Sequence, residues 1–179
     1  MSGIRNTATA ERDFVEHEHR ELRPGLDRIH EVACRAGSVA TPQLSLALLD
    51  VMRWAETVLQ PHAAWEETTL YPEIDRAAGT PWATKLMRFE HAQVRELTDR
   101  LHVDHARLNQ PHELHRIEQV RCHLFGLETI LRAHIEREER EFEAIDQRLE
   151  ARLAVGELPM AGHRIGLEQR DAIDHVLPA

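Results

Sequence analysis

Only two of the 179 residues are cysteine, Cys34 and Cys122, so no disulfide framework holds this chain together. Glycine and proline number eight each, and aromatic residues make up 4%. So few turn formers and aromatics, beside long Glu-, Arg-, Leu- and Ala-rich runs, favour helix over sheet. No run of 18 apolar residues exists, which excludes a membrane-spanning helix. The first residues, Met1 to Thr7, lack the apolar core of a signal peptide, so a cytoplasmic location is expected. Positive charge is short as well. The net charge of −9 argues against nucleic acid or an anionic membrane as a partner, and leaves a homodimer or an unidentified protein partner open. What remains, 42% hydrophobic and 30% charged, fits one soluble globular domain with a tail. The excess is histidine, thirteen of them.

The histidines follow a period. His62-Ala-Ala-Trp-Glu66 and His134-Ile-Glu-Arg-Glu138 share the pattern His-x-x-x-Glu, and each runs into a second acid, Glu67 or Glu139. A lone histidine precedes each by 43 residues, His19 and His91. The offset between the two halves is therefore 72 throughout, and Asp27-Arg28-Ile29-His30 lies 72 residues before Asp99-Arg100-Leu101-His102. A two-helix unit is used twice.

Four helices are expected. The first covers about 10–36, with the seam Val15, Leu22, Leu26, Ile29, Ala33 and a bend at Pro24. The second covers about 42–71, starting from Thr41 as N-cap and Pro42 and ending at Pro72 and Gly79. Its seam is Leu48, Met52, Ala55, Leu59, His62, Glu66, Leu70. The third covers about 82–107, from a second Thr-Pro start, with the seam Met87, His91, Val94, Thr98, Leu101. The fourth covers about 112–153, with the seam Val120, Leu124, Leu127, Leu131, His134, Glu138, Ile145. Short links make this an all-α, antiparallel up-down-up-down four-helix bundle over residues 10–153. Residues 154–179 form a C-terminal tail with at most a short helix, Leu167 to Val176.

One His-x-x-x-Glu is ordinary on a solvated helix face. Here both pairs, and both lone histidines, interrupt an apolar seam. Two unpaired buried carboxylates would cost several kcal/mol each, and a buried cation cluster offsets that. The candidate metal ligands are therefore His19, His62, Glu66, His91, His134 and Glu138. Six ligands in two matched halves suit two first-row transition ions better than one tetrahedral zinc. Iron ranks first, with manganese and zinc open.

The order H…HxxxE…H…HxxxE resembles the hemerythrin-like HHE cation-binding family over about residues 11–150. Glu18-His19-Arg20-Glu21-Leu22, the run from Pro61 to Pro72 and the run from His134 to Glu139 carry the likeness. The resemblance implies a non-haem di-iron centre. His19 and His62 would serve one iron, His91 and His134 the other, and Glu66 and Glu138 would bridge them with an oxo or hydroxo group. It also implies binding of O2 or NO for sensing, storage or stress response. The alternative is a di-iron oxidoreductase that decomposes H2O2 or oxidises a small substrate, with no catalytic residue assigned. The oxygen-carrying members have a further histidine at the position of Arg95, so one iron would lack that ligand or take it from solvent, Glu16 or another side chain. The least specific reading is a helical interaction protein with incidental histidines.

His30 and His123 stand 11 residues from a ligand, ~16 Å along the axis, too far to coordinate. His17 is expected on the surface, and His102, His105, His112 and His115 in a solvated loop. Trp54, Trp65, Tyr71 and Phe142 are expected in core or groove packing. Cys34 and Cys122 are expected at one bundle end as reduced packing residues, with a redox-switchable disulfide as the alternative.

Overall fold

The computed structural model describes residues 3–108 and 113–154. Four helices account for nearly all of them: α1 (Gly3–Arg35), α2 (residues 41–78), α3 (Lys85–Arg107) and α4 (Glu113–Ala154). Helix α4 packs along α1 and α3, and α2 packs along the same two. Cross-links between α1 and α4 run in opposite senses, His19 to Glu138 and His30 to Glu128, so the neighbours are antiparallel. This is the up-down-up-down bundle. The seams are buried as read: Leu22, Leu26, Ile29, Leu48, Met52, Leu59, Val94, Leu101, Leu124, Leu127 and Leu131 form one core. A smaller cluster, Leu70, Tyr71, Ile74 and Met87, closes the other side of the histidine level. Among the described residues no helix is long and apolar enough to cross a membrane. The expected tail helix, Leu167 to Val176, lies outside the described residues, as do His112, His163 and His175.

Several boundaries differ from expectation. Ala40, not Thr41, is the N-cap of α2; its N–H donates to the Gln43 side-chain oxygen at 3.3 Å. Helix α3 begins at Lys85 rather than near 82, because Thr84 is its N-cap residue and is tied to α2. The Thr84 N–H and hydroxyl both donate to the Asp75 carboxylate, at 3.1 and 3.2 Å to Oδ1. Helix α2 also runs through Pro72 to Ala78, and ends at Gly79, whose φ of 68° only glycine adopts freely.

Helix α2 passes its prolines by widening. Its α-helical stretches, Thr41–Trp54, Gln60–Trp65 and Tyr71–Ala78, are joined by π turns at Ala55–Leu59 and Glu66–Leu70. The Gln60 N–H donates to the Ala55 carbonyl just before Pro61, and the Tyr71 N–H to the Glu66 carbonyl just before Pro72. A proline lacks the N–H that continues an α-helix, and its ring crowds the carbonyl four residues back. A wider i to i+5 turn beforehand relieves that crowding. Helix α1 runs through Pro24. The next residue, Gly25, lets α1 approach α2 closely: a Cβ there would lie 1.9 Å from the Trp54 ring. Gly25→Ala should therefore destabilise the fold by about 1–3 kcal/mol despite better helix propensity. Urea unfolding checks this, and an unchanged midpoint would show that the Trp54 ring yields freely.

Candidate metal centre

Each helix brings one histidine to the same level. His19, His62, His91 and His134 are all buried, and so are Glu66 and Glu138, at 1% and 0% exposure. The i, i+4 spacing aims His62 and Glu66 from one face of α2, with Nε2 to Oε1 at 2.8 Å. Glu66 Oε2 lies 3.2 Å from His91 Nε2, so this carboxylate spans both halves. Glu138 does the same: its Oε2 lies 3.0 Å from His19 Nε2 and 3.6 Å from His134 Nε2. His91 and His134 bring their Nε2 atoms within 3.0 Å of each other. Two candidate triads for a metal ion result, His19–His62–Glu66 and Glu66–His91–His134, each with its donor atoms within 4.8 Å of one another.

The donors outnumber what they can do for each other. Both oxygens of Glu66 and Oε1 of Glu138 are buried without a hydrogen-bond partner of good geometry. Such orphaned acceptors are costly unless a cation or proton sits among them. Convergent imidazole nitrogens and carboxylate oxygens are the donor set of first-row transition ions, so the residues fit a metal. Among the described residues only these two groups converge in this way.

A family model, the hemerythrin HHE cation binding domain, matches residues 11–145. The chain belongs to that family. Searches of curated proteins and of solved structures find no match. As a hemerythrin HHE domain, the bundle is a cation-binding fold, and its histidine–glutamate clusters are where a metal fits.

The structure also brings in Tyr71, which the sequence reading left to packing. Its side chain is fully buried, and its Oη lies 3.2 Å from His91 Nε2. The π turn puts it there. In an α-helix the residue stacked on Glu66 would be the fourth one on; in the π turn it is the fifth, Tyr71. No helical periodicity in the sequence signals that shift. Trp65 packs beside Leu70 and Tyr71, and Trp54 is half-buried against the main core. The side chains of Glu16, His17 and Phe142 lie outside the described residues.

Arg95, where the resemblance expects a further histidine in oxygen-carrying members, is exposed. Its Nη1 donates to Glu67 Oε1 at 2.9 Å. Other described histidines pair away from the site. His30 pairs with Glu128 at 2.9 Å and His123 with Asp104 at 2.6 Å. His102 and His105 belong to α3 and His115 to α4 rather than to a loop. His102 pairs with Glu56 at 3.2 Å, and His105 Nε2 lies 2.8 Å from Ser45 Oγ. Cys34 and Cys122 are free thiols and exposed, not packed as expected. Nothing in the seam pattern buries them.

Electrostatics favour positive charge in the centre. Burial opposes protonation of His19, but Glu138 and Glu66 outweigh it and push its pKa up to about 10. Burial likewise opposes charge on His62, and Glu18 and Glu66 outweigh it to reach about 9. His91 is raised too, against burial, by Glu66. Burial alone would raise Glu66, but His19, His62 and His91 hold it well below the usual carboxylate range. Burial, then the charges of Glu66 and Glu138, push the Tyr71 phenol above its ordinary value, so it stays protonated.

Without a cation, then, protons compensate the carboxylates. A histidine whose folded pKa exceeds its unfolded value of 6.5 stabilises the fold fully below that pH. The contribution is lost as pH rises through the folded value. Chelator-treated protein should therefore lose about 5 °C or more of Tm between pH 7 and 10. Circular dichroism melts check this, and a flat Tm across that window would mean the histidines are not held charged.

Proposed function

We propose that this chain is a di-iron hemerythrin-like protein that binds O2 or NO for sensing, storage or the response to oxidative and nitrosative stress. One observation carries the reading: two ligand triads sharing Glu66, with Glu138 spanning the same halves and three carboxylate oxygens left without hydrogen bonds. His19 and His62 would hold one ion and His91 and His134 the other, with Glu66 and Glu138 shared between them. Iron would supply reversible ligation of small diatomic molecules and one-electron redox chemistry. The protein supplies the rest. The apolar clusters on both sides of the site limit water, and the bundle fixes the donors before any ion arrives.

A specific feature favours a second reading, an oxidoreductase that decomposes H2O2 or oxidises a small substrate. The buried Tyr71 hydroxyl is a hydrogen-bond donor set 3.2 Å from His91 Nε2, a polar group at the centre that reversible binding does not need.

Protein expressed with added iron should carry about two irons per chain, and Glu138→Ala should lose at least one of them with helicity intact. Metal analysis and optical spectra under N2, O2, NO and H2O2 make the test. Reversible spectral change with O2 or NO supports binding. Sustained H2O2 consumption that Glu138→Ala abolishes supports the enzyme. A folded protein without stoichiometric metal sinks both.

A further inference from the structure

The four inner histidines each turn a second nitrogen outward, and each finds a carboxylate there. The His19 Nδ1–H donates to Glu139 Oε1 at 3.3 Å, that of His91 to Glu67 Oε1 at 3.0 Å, and that of His134 to Glu90 Oε2 at 3.1 Å. Glu18 Oε2 stands 3.7 Å from His62 Nδ1. The helices involved follow one another around the bundle. Glu18 of α1 stands at ion-pair distance from His62 of α2, and Glu67 of α2 accepts from His91 of α3. Glu90 of α3 holds His134 of α4, and Glu139 of α4 returns to His19 of α1. The ring closes on itself.

The internal period repeats it, since 18 and 90, and 67 and 139, are each 72 apart. Every outer acid is also the sequence neighbour of an inner donor: Glu18 of His19, Glu67 of Glu66, Glu90 of His91, Glu139 of Glu138. Arginines brace the ring from outside. Arg95 reaches Glu67 at 2.9 Å, Arg137 reaches Glu90 at 2.9 Å and Arg23 lies 3.9 Å from Glu139. Arg23 and Arg95 are themselves 72 apart.

We infer that Glu18, Glu67, Glu90 and Glu139 are positioning residues for the metal centre. Each fixes the Nδ1–H tautomer of a histidine on the next helix, so that all four Nε2 atoms face inward together. A metal ligand must present an unprotonated nitrogen, and an acceptor on the other nitrogen selects that tautomer and locks the ring's rotation. On this view Arg95 is not a lost ligand but a brace, acting through Glu67 on His91. The inference rests on the metal-binding reading above.

The test uses the full chain stripped by chelator and titrated with Zn2+ against a competing indicator. Glu67→Gln, Glu139→Gln, Glu18→Gln and Glu90→Gln should each weaken Zn2+ binding about 10- to 100-fold. Glu136→Gln, at an acid 73% exposed beside the site but off the ring, controls for lost charge and should bind as the native chain does. Long-range 1H–15N spectra of the Zn2+-loaded, histidine-labelled protein give the second readout. Native protein should show four Nδ1–H, Nε2-bound rings, and each variant should lose that signature at its partner histidine. Should one variant fail to fold, its mate 72 residues away carries the same prediction. Folded variants with native affinity and unchanged tautomers overturn the ring while leaving the metal reading intact. A native chain that takes up no metal overturns both.

Discussion

Two carboxylates with almost no solvent access sit at mid-bundle, and the rest of the structure answers to them. Glu66 and Glu138 are 1% and 0% exposed. An ionised carboxylate buried alone costs several kcal/mol, more than one apolar side chain returns. Four imidazoles converge on the pair, so that positive charge, whether a proton or a metal ion, is always within reach. The large core on one side and the Leu70–Tyr71–Ile74–Met87 cluster on the other keep water from doing that work. Low polarity strengthens the attraction and sharpens the penalty for leaving it unmet. The site and the core are thus one design.

The same constraint explains why the two-helix unit occurs twice. Within one unit, Glu18 reaches His62, but His19 has its outer carboxylate, Glu139, only on the other unit. Glu66 likewise needs His91, and Glu138 needs His19. A single hairpin would expose half-partnered polar groups on its apolar face. Two hairpins related by a pseudo-twofold satisfy each other, and nearly every contact at the centre crosses between helices. Further along the bundle the symmetry persists at the surface, where His30 with Glu128 and His102 with Glu56 occupy positions 72 apart in both members.

Much of this could be read from residue order because helical periodicity is a strong signal when polar groups break it. His62 and Glu66 on the Leu48–Leu70 seam, and His134 and Glu138 on the Val120–Ile145 seam, could not be surface residues if the seam was real. The burial of Thr98 on the α3 seam follows equally, its hydroxyl turned back to the Val94 carbonyl at 2.9 Å. What stayed hidden depends on backbone geometry that periodicity does not encode. Pro72 reads as a stop, and only the π turn before it lets α2 continue to Ala78. The N-cap at Ala40 rests on Gln43, a residue with no special standing in the pattern. The outer acids were visible as letters, but Glu67 and Glu139 look like solvated neighbours until the helices are placed.

Where the period fails, the two halves part company. Helix α2 has π turns before His62 and from Glu66 on, whereas α4 is α-helical from Glu113 to Ala154. Position 71 is therefore rotated under Glu66, while its counterpart 72 residues on, Glu143, is exposed. The phenol of Tyr71 stacks on His91 with ring centroids 5.5 Å apart, and Arg88 lies over the Tyr71 ring at 5.2 Å from its centroid. Among the described residues no phenol stacks on His19 in this way. Likewise Arg137, which braces Glu90, corresponds to Trp65, which lies against His62 with ring centroids 6.5 Å apart. Matched histidines and glutamates thus stand in unmatched surroundings. A hydrogen-bond donor and a cation near one pair of histidines, and an indole near the other, give the two positions different fields and different access. A duplicated sequence would give two equal histidine–glutamate clusters; the prolines of α2, through the turns that absorb them, make them unequal.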